Sequence, residues 1–151
     1  MLGRYRREVS KRFDGVDELL ADARSRLQRV TAQAAYDEVV GKAALIVDIR
    51  PSEQRARHGE IDPALAPLVI DRNVLEWRLD PRSDARLPEA SYDARVIVIC
   101  QEGYQSSLAA DALRSLGIER ATDVIDGFDA WLAGGLPVSS PAPAPGSATP
   151  S

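Results

Sequence analysis

Val96-Ile-Val-Ile-Cys100-Gln-Glu-Gly103-Tyr-Gln-Ser106-Ser-Leu108 is the stretch on which the fold of this chain turns. A continuous apolar run ends in the only cysteine, a short polar loop comes next, and a helical pattern opens straight afterwards. Four β-formers bounded by polar residues read as a buried strand. The spacing of Leu108, Ala109, Ala112, Leu113 and Leu116 reads as an amphipathic helix that Gly117 stops. A thiol held between strand and helix faces the unpaired N–H groups of the helix's first turn and the positive end of its dipole. Both favour the thiolate, the nucleophilic form. The same position also suits an inert cysteine packed as a small apolar side chain. Its neighbours in the chain decide between the two.

Upstream, Ala44 to Ile49 forms a second apolar run, with Asp48 and Arg50 at its C-terminal end. Ser52 and Glu53 open a short helix that Gly59 closes, and residues 59–67 read as a loop. Leu68 to Ile70 is a short strand, Val74 to Leu79 a short helix, and residues 81–93 a surface connection. Downstream, Thr122 to Ile125 reads as a further strand and Phe128, Trp131 and Leu132 as a last short helix. Strands alternating with helices predict a mainly parallel sheet of four or five strands with helices on both faces, a three-layer α/β architecture. Ligands bind such sheets beyond the carboxyl ends of the strands, which is where Asp48 and Cys100 fall.

Before this unit lie two predicted helices. One starts at Asp17 and carries Leu19, Leu20, Ala23, Leu27 and Val30 on one side; the other is capped by Thr31 and ended by Gly41. Residues 1–14 lack periodicity and read as a loose arm. Residues 139–151, Ser-Pro-Ala-Pro-Ala-Pro-Gly-Ser-Ala-Thr-Pro-Ser after Ser139, have no face to bury and read as a disordered tail. The expected division is therefore a basic arm and helix over 1–30, a folded domain over 31–138, and the tail.

The 151 residues, 44% hydrophobic and 28% charged, suit one soluble domain with a single core. The net charge of −4 argues against nucleic-acid binding, and no apolar run is long enough to cross a bilayer. One cysteine forms no internal disulfide, and the charged first dozen residues hold no export signal. Together they point to the cytoplasm. A single histidine leaves no zinc or iron site of the Cys/His type, and no cofactor is expected. The charge is uneven: residues 1–30 hold eight Arg or Lys against five Asp or Glu, and residues 31–151 hold eleven against eighteen. Docking of the basic segment on the acidic body is the least demanding account of that asymmetry.

Three motifs stand in order along the chain. Val47-Asp48-Ile49-Arg50, the Cys100-x-x-Gly103-x-x-Ser106 loop, and Gly127-Phe128-x-x-Trp131-x-x-x-Gly135-x-Pro137 have the sequence and spacing of the rhodanese-like (single-domain sulfurtransferase) family. The chain resembles that family over roughly residues 31–138. The resemblance implies the rhodanese-like fold and a persulfide mechanism. Cys100 would take sulfur from a small donor such as thiosulfate or a persulfide and pass it to cyanide, a thiol or a sulfur-carrier protein. Gln101, Glu102, Gly103, Tyr104, Gln105 and Ser106 would cradle the anionic sulfur, with Asp48 and Arg50 in support; Arg72 joins that support from its own place after a strand. The Ser106 and Ser107 hydroxyls are expected to bond the sulfur or cap the helix beyond them.

The chain departs from the family in the loop, where Gln101 and Gln105 stand at places that often hold arginine and Glu102 adds a negative charge. At a few ångström in a water-like dielectric that charge repels each unit charge of a dianionic donor by about 1 kcal/mol. Arg72 and Arg78, which follow a strand's carboxyl end, are the candidates to replace the missing loop arginines as anion contacts. His58 lies on the wrong side of Gly59 for the family's pattern and reads as a surface residue. Trp77 and Trp131 read as core or rim packing. Asp48 and Arg50 read as a buried ion pair behind the loop, or as substrate contacts. Two other functions share the architecture. A cysteine phosphatase is disfavoured, because the residue six beyond Cys100 is Ser106 and not the phosphate-clamping arginine. A persulfide carrier, sensor or interaction module without turnover is the alternative that the acidic loop supports.

Overall fold

The apolar runs become strands of a four-stranded parallel sheet in the computed structural model, which describes residues 12–139. The strands are β1 (Leu45–Asp48), β3 (Leu68–Val69), β4 (Val96–Ile99) and β5 (Thr122–Asp123), in the order β3-β1-β4-β5. Leu45 to Asp48 pair in register with Val96 to Ile99 at the centre of the sheet. Both central strands are covered on both faces, which is why they read as unbroken apolar runs.

Alternate residues of β4 feed two cores. Val96 and Val98 face one side with Leu75, Leu79, Ala109, Ala110 and Leu113. Ile97 and Ile99 face the other with Ala35, Val39, Phe128 and Trp131. The helices supplying these partners are α2 (Ala32–Val40), α4 (Leu75–Leu79), α5 (Gln105–Ser115) and α6 (Gly127–Ala133). Two further helices, α1 (Val16–Arg24) and α3 (Ser52–His58), lie before α2 and after β1 respectively. Helix α1 packs on α5 through the buried Leu20 and Ala23. The three-layer α/β reading holds.

Several local expectations are corrected. The first helix stops at Arg24 and not at Val30; beyond it Leu27 packs against the core, and Val30 makes a parallel bridge to Val124. Glu60–Ile61 (β2), read as loop, pairs antiparallel with Val138–Ser139 (β6), a pair of two-residue strands too short to show periodicity. Trp77 is 60% exposed, so it is no core residue, whereas Trp131 is fully buried and donates its indole N–H to Pro137 O at 3.0 Å. Most of the loose arm and of the tail lies outside the described residues.

The chain leaves β1 toward one edge of the sheet and β4 toward the other, so the carboxyl ends of these two strands flank the point where strand order reverses. The segment beyond β1 is held by charge. Arg50 is buried and forks onto Asp48, with Nε to Oδ1 at 3.0 Å and Nη2 to Oδ2 at 2.8 Å. Its guanidinium also donates to Gly59 O at 2.9 Å and lies 3.8 Å from the Phe128 ring centroid. Opposite it, Gly127 turns with φ +56°, and a Cβ there would stand 2.3 Å from Cys100 O.

These contacts set the cost of two substitutions. Arg50→Ala leaves the Asp48 carboxylate buried without its partner and is expected to lower urea-unfolding stability by about 3–5 kcal/mol. Arg50→Lys should recover less than half, since an ammonium cannot reproduce the fork; near-complete recovery would show that charge alone matters. Gly127→Ala combines left-handed backbone with a clash against Cys100 O and is expected to cost about 2–4 kcal/mol. A cost below about 0.5 kcal/mol would mean the turn relaxes freely.

Candidate functional site

Cys100 is the first residue beyond β4, 8% exposed, at the mouth of the reversal point. The chain then turns back at Gly103, whose φ of +87° places it in the region open to glycine; a Cβ there would stand 2.7 Å from Asp126 N. This turn aims backbone N–H groups at the thiol. Gly103 N–H donates to Cys100 Sγ at 3.2 Å and Ser106 N–H donates to it at 3.4 Å. Two donors converging on sulfur at the start of α5 form a cradle suited to an anion.

The loop's carbonyls point the other way and are taken up by separate parts of the chain. Phe128 N–H donates to Cys100 O at 2.8 Å and Asp129 N–H to Gln101 O at 3.0 Å, both from the first turn of α6. The carbonyl of Gly103 accepts from Arg24 Nη2 at 2.8 Å and Arg29 Nη2 at 3.0 Å, on and just beyond α1. The close approach of α6 to Cys100 and Gln101 explains the Gly127-Phe128 motif. Glycine is needed where a Cβ would meet a carbonyl, and the next two N–H groups then reach the loop.

The side chains named from sequence divide into two groups. Gln101 is buried under the loop, its Oε1 accepting from Arg50 Nη1 at 3.1 Å and its Nε2 donating to Asp129 Oδ1 at 2.7 Å. It joins the Asp48–Arg50 pair to the loop. Ser106 and Ser107 are fully buried, and both hydroxyls donate to Asp123 Oδ2, at 2.7 and 2.8 Å. They therefore neither bond the sulfur nor cap α5, which has no side-chain cap; a buried carboxylate behind the loop takes both. Ser106 reaches the sulfur through its backbone instead. Glu102, Tyr104 and Gln105 form the exposed lip of the loop, with Tyr104 58% exposed.

Arg72 reaches that lip, donating from Nε to Gln105 Oε1 at 3.2 Å while its Nη1 pairs with Glu76 at 2.7 Å. Arg78 does not: it bonds Ala85 O. His58 lies exposed at the end of α3. Beside the lip, Val16, Leu20, Tyr104 and Leu108 line a shallow groove of about 270 Å³. Among the described residues no group of His, Cys, Asp or Glu is arranged to hold a metal.

Three residues at the site are absent from the sequence reading. Asp123 is fully buried, and besides the two serine hydroxyls it accepts from Arg29, Nε to Oδ1 at 2.9 Å and Nη2 to Oδ2 at 3.2 Å. Arg24 donates from Nε to Ser107 Oγ at 3.1 Å and lies over the Tyr104 ring at 5.8 Å. In the sequence, the one hint that Arg24 and Arg29 meet acidic partners is the net positive charge of residues 1–30. Arg26 meets acidic partners on the surface, where hydrogen bonds to Asp111 and then Asp22 raise its guanidinium above its ordinary range.

Comparison with known proteins places this geometry. The model of the rhodanese-like domain matches residues 31–134. Thiosulfate sulfurtransferase GlpE of Actinobacillus pleuropneumoniae serotype 3 is 41% identical over 112 residues, covering 74% of this chain and 92% of that protein. Adenylyltransferase and sulfurtransferase MOCS3-2 of Zea mays is 34% identical over 91 residues; the match spans 60% of this chain but only 18% of the maize protein. A solved structure from Rhodopseudomonas palustris, described as a protein of unknown function and possible tyrosine phosphatase, superposes with a TM-score of 0.75 at 27% identity. It covers 86% of this chain and 98% of its own. The chain belongs to the rhodanese-like domain family.

Proposed function

We propose that this protein is a sulfurtransferase that carries sulfane sulfur on Cys100. The observation that supports this most is the pair of backbone N–H groups at 3.2 and 3.4 Å from Sγ, a cradle for a negatively charged sulfur that needs no side chain. In the first step the Cys100 thiolate attacks the outer sulfur of a donor. With thiosulfate, a new S–S bond forms, the donor's own S–S bond breaks, and sulfite departs with the electron pair. The charge stays on the terminal sulfur of the Cys100 persulfide, one bond beyond the Sγ that the Gly103 and Ser106 N–H groups hold. In the second step a thiophile such as cyanide attacks that terminal sulfur and the Cys100 thiolate leaves. Protons and electrons balance without a cofactor.

The division of labour among the candidate residues comes from their contacts. Cys100 is the nucleophile, and the Gly103 and Ser106 backbones bind the anion. Asp48, Arg50 and Gln101 support the loop from beneath. Glu102, Tyr104, Gln105 and Arg72 meet whatever approaches the lip. An exposed tyrosine there suits an acceptor larger than cyanide. A sulfur-carrier protein is an acceptor of that size. A single free thiol in a chain of this kind is consistent with work in the cytoplasm. Phosphatase chemistry is disfavoured, since Ser106 occupies the place of the phosphate-clamping arginine and its hydroxyl is committed to Asp123. A carrier without turnover is the second reading, favoured by Glu102 standing exposed at the lip.

Cyanide-coupled turnover across several donors tests the proposal. Wild type should release thiocyanate over many turnovers with at least one sulfane donor, and Cys100→Ala should fall to background. One equivalent transferred and then none would favour the carrier. Gly103→Ala, which forces a side chain into the Asp126 backbone, should reduce turnover by about a hundredfold or more. Glu102→Gln should raise kcat/KM for thiosulfate about three- to fivefold, the equivalent of about 1 kcal/mol of removed repulsion, and leave a neutral donor unaffected. Equal gains for charged and neutral donors would show that Glu102 acts by shape and not by charge.

A further inference from the structure

The loop lacks the arginines that its relatives' pattern leads one to expect, yet two guanidinium groups meet at its turn. Both come from outside the stretch that the family model matches, residues 31–134. Arg24 is the last residue of α1 and Arg29 lies five residues later; both donate to the carbonyl of Gly103, 79 and 74 residues away in sequence. The N–H of that same residue is one of the two that hold Cys100 Sγ. The two cations are not equivalent. Arg29 is spent on the Asp123 carboxylate, which it neutralises. The polar partners of Arg24 among the described residues, Ser107 Oγ and Gly103 O, are neutral, and so is the Tyr104 ring beside it. Arg24 makes no ion pair among the described residues. The charge it brings to the turn faces only the exposed carboxylates of Glu102, next to Gly103, and Asp126, on the chain packed against it, and, through Ser107 Oγ, the Asp123 already paired with Arg29. The path through Gly103 and its two hydrogen bonds limits the distance from Arg24 to Sγ to about 10 Å. That is little more than one Debye length at physiological salt.

We infer that Arg24 is a positioning residue of the sulfur-transfer site, supplying from the N-terminal helix the charge that the loop itself lacks, with Arg29 neutralising Asp123 so that this charge is felt. The working unit then begins at α1 and not at residue 31. The inference rests on the sulfurtransferase proposal for its function but not for its test. A trans peptide sets its N–H opposite its C=O. The two guanidinium donors that anchor the Gly103 carbonyl therefore fix the Tyr104 N–H on the opposite side of that peptide. Loss of Arg24 removes both the charge and one of these anchors. Lysine at 24 keeps the charge and loses the fork.

Two rates decide the matter on the full chain: alkylation of Cys100 by neutral iodoacetamide as a function of pH, and single-turnover sulfur loading from the thiosulfate dianion. In R24Q the alkylation profile should move to higher pH, and thiosulfate loading should fall about fivefold or more. R24K should return the profile to the wild-type position. Thermal melting establishes that each variant is folded. A profile in folded R24Q that superimposes on wild type would overturn the inference, as would an R24K profile displaced as far as that of R24Q. If R24Q does not fold, R24K alone decides: a wild-type profile supports the charge role and a displaced one refutes it. A wild type that takes sulfur from no donor would defeat the sulfurtransferase proposal, while the alkylation profiles would still stand as the test of Arg24.

Discussion

A loop that turns its N–H groups inward toward one sulfur atom must turn its carbonyls outward, and each buried carbonyl then needs a donor from elsewhere. That constraint organises this protein. The carbonyls of Cys100 and Gln101 are met by the first N–H groups of α6, and that of Gly103 by two arginines from the N-terminal segment. Beneath them Arg50 fixes the Gln101 side chain while forking onto Asp48 at the end of the neighbouring strand. Regions distant in sequence thus converge on a turn of a few residues. The arrangement decides what the thiol faces.

The electrostatics are layered in the same way. Nearest the sulfur are backbone dipoles, which carry no net charge and cannot be screened by a counter-ion of their own. Behind them Asp123 would oppose an anion, but it is bonded by Arg29, Ser106 and Ser107 together. The serine hydroxyls are thereby withdrawn from the sulfur, which explains how two buried hydroxyl groups so close to the loop leave its anion to the backbone. Glu102 remains outside, exposed at the lip, where it weighs on what approaches more than on what is bound.

Much of this was legible in the chain because it is local. The unbroken apolar runs of β1 and β4 state that both faces are covered, and Cys100 and Asp48 stand at the ends of those runs, where open α/β sheets bind ligands. Gly103 and Gly127 stand at fixed places in the motifs, and both carry positive φ. The features that escaped notice are non-local. Leu27 and Val30 continue the helical spacing of α1, but tertiary contacts override it: Leu27 packs on the core and Val30 pairs with Val124 as a strand would. Arg24 and Arg29 look like ordinary helix-terminal cations, and nothing short of the fold places them on Gly103. Ser106 reads as a hydroxyl donor to sulfur because the partner that claims it, Asp123, lies 17 residues away on the next strand. The β2–β6 pair is two residues deep, below the length at which alternation can register.

The central claim, that sulfur is carried on Cys100, is tested most directly by the intact mass of the protein after incubation with sulfane donors, with and without a reducing thiol. Wild type should gain one sulfur atom and lose it to the thiol, and Cys100→Ala should gain none. A wild-type mass unchanged by every donor, or a sulfur atom that remains on Cys100→Ala, would contradict the account.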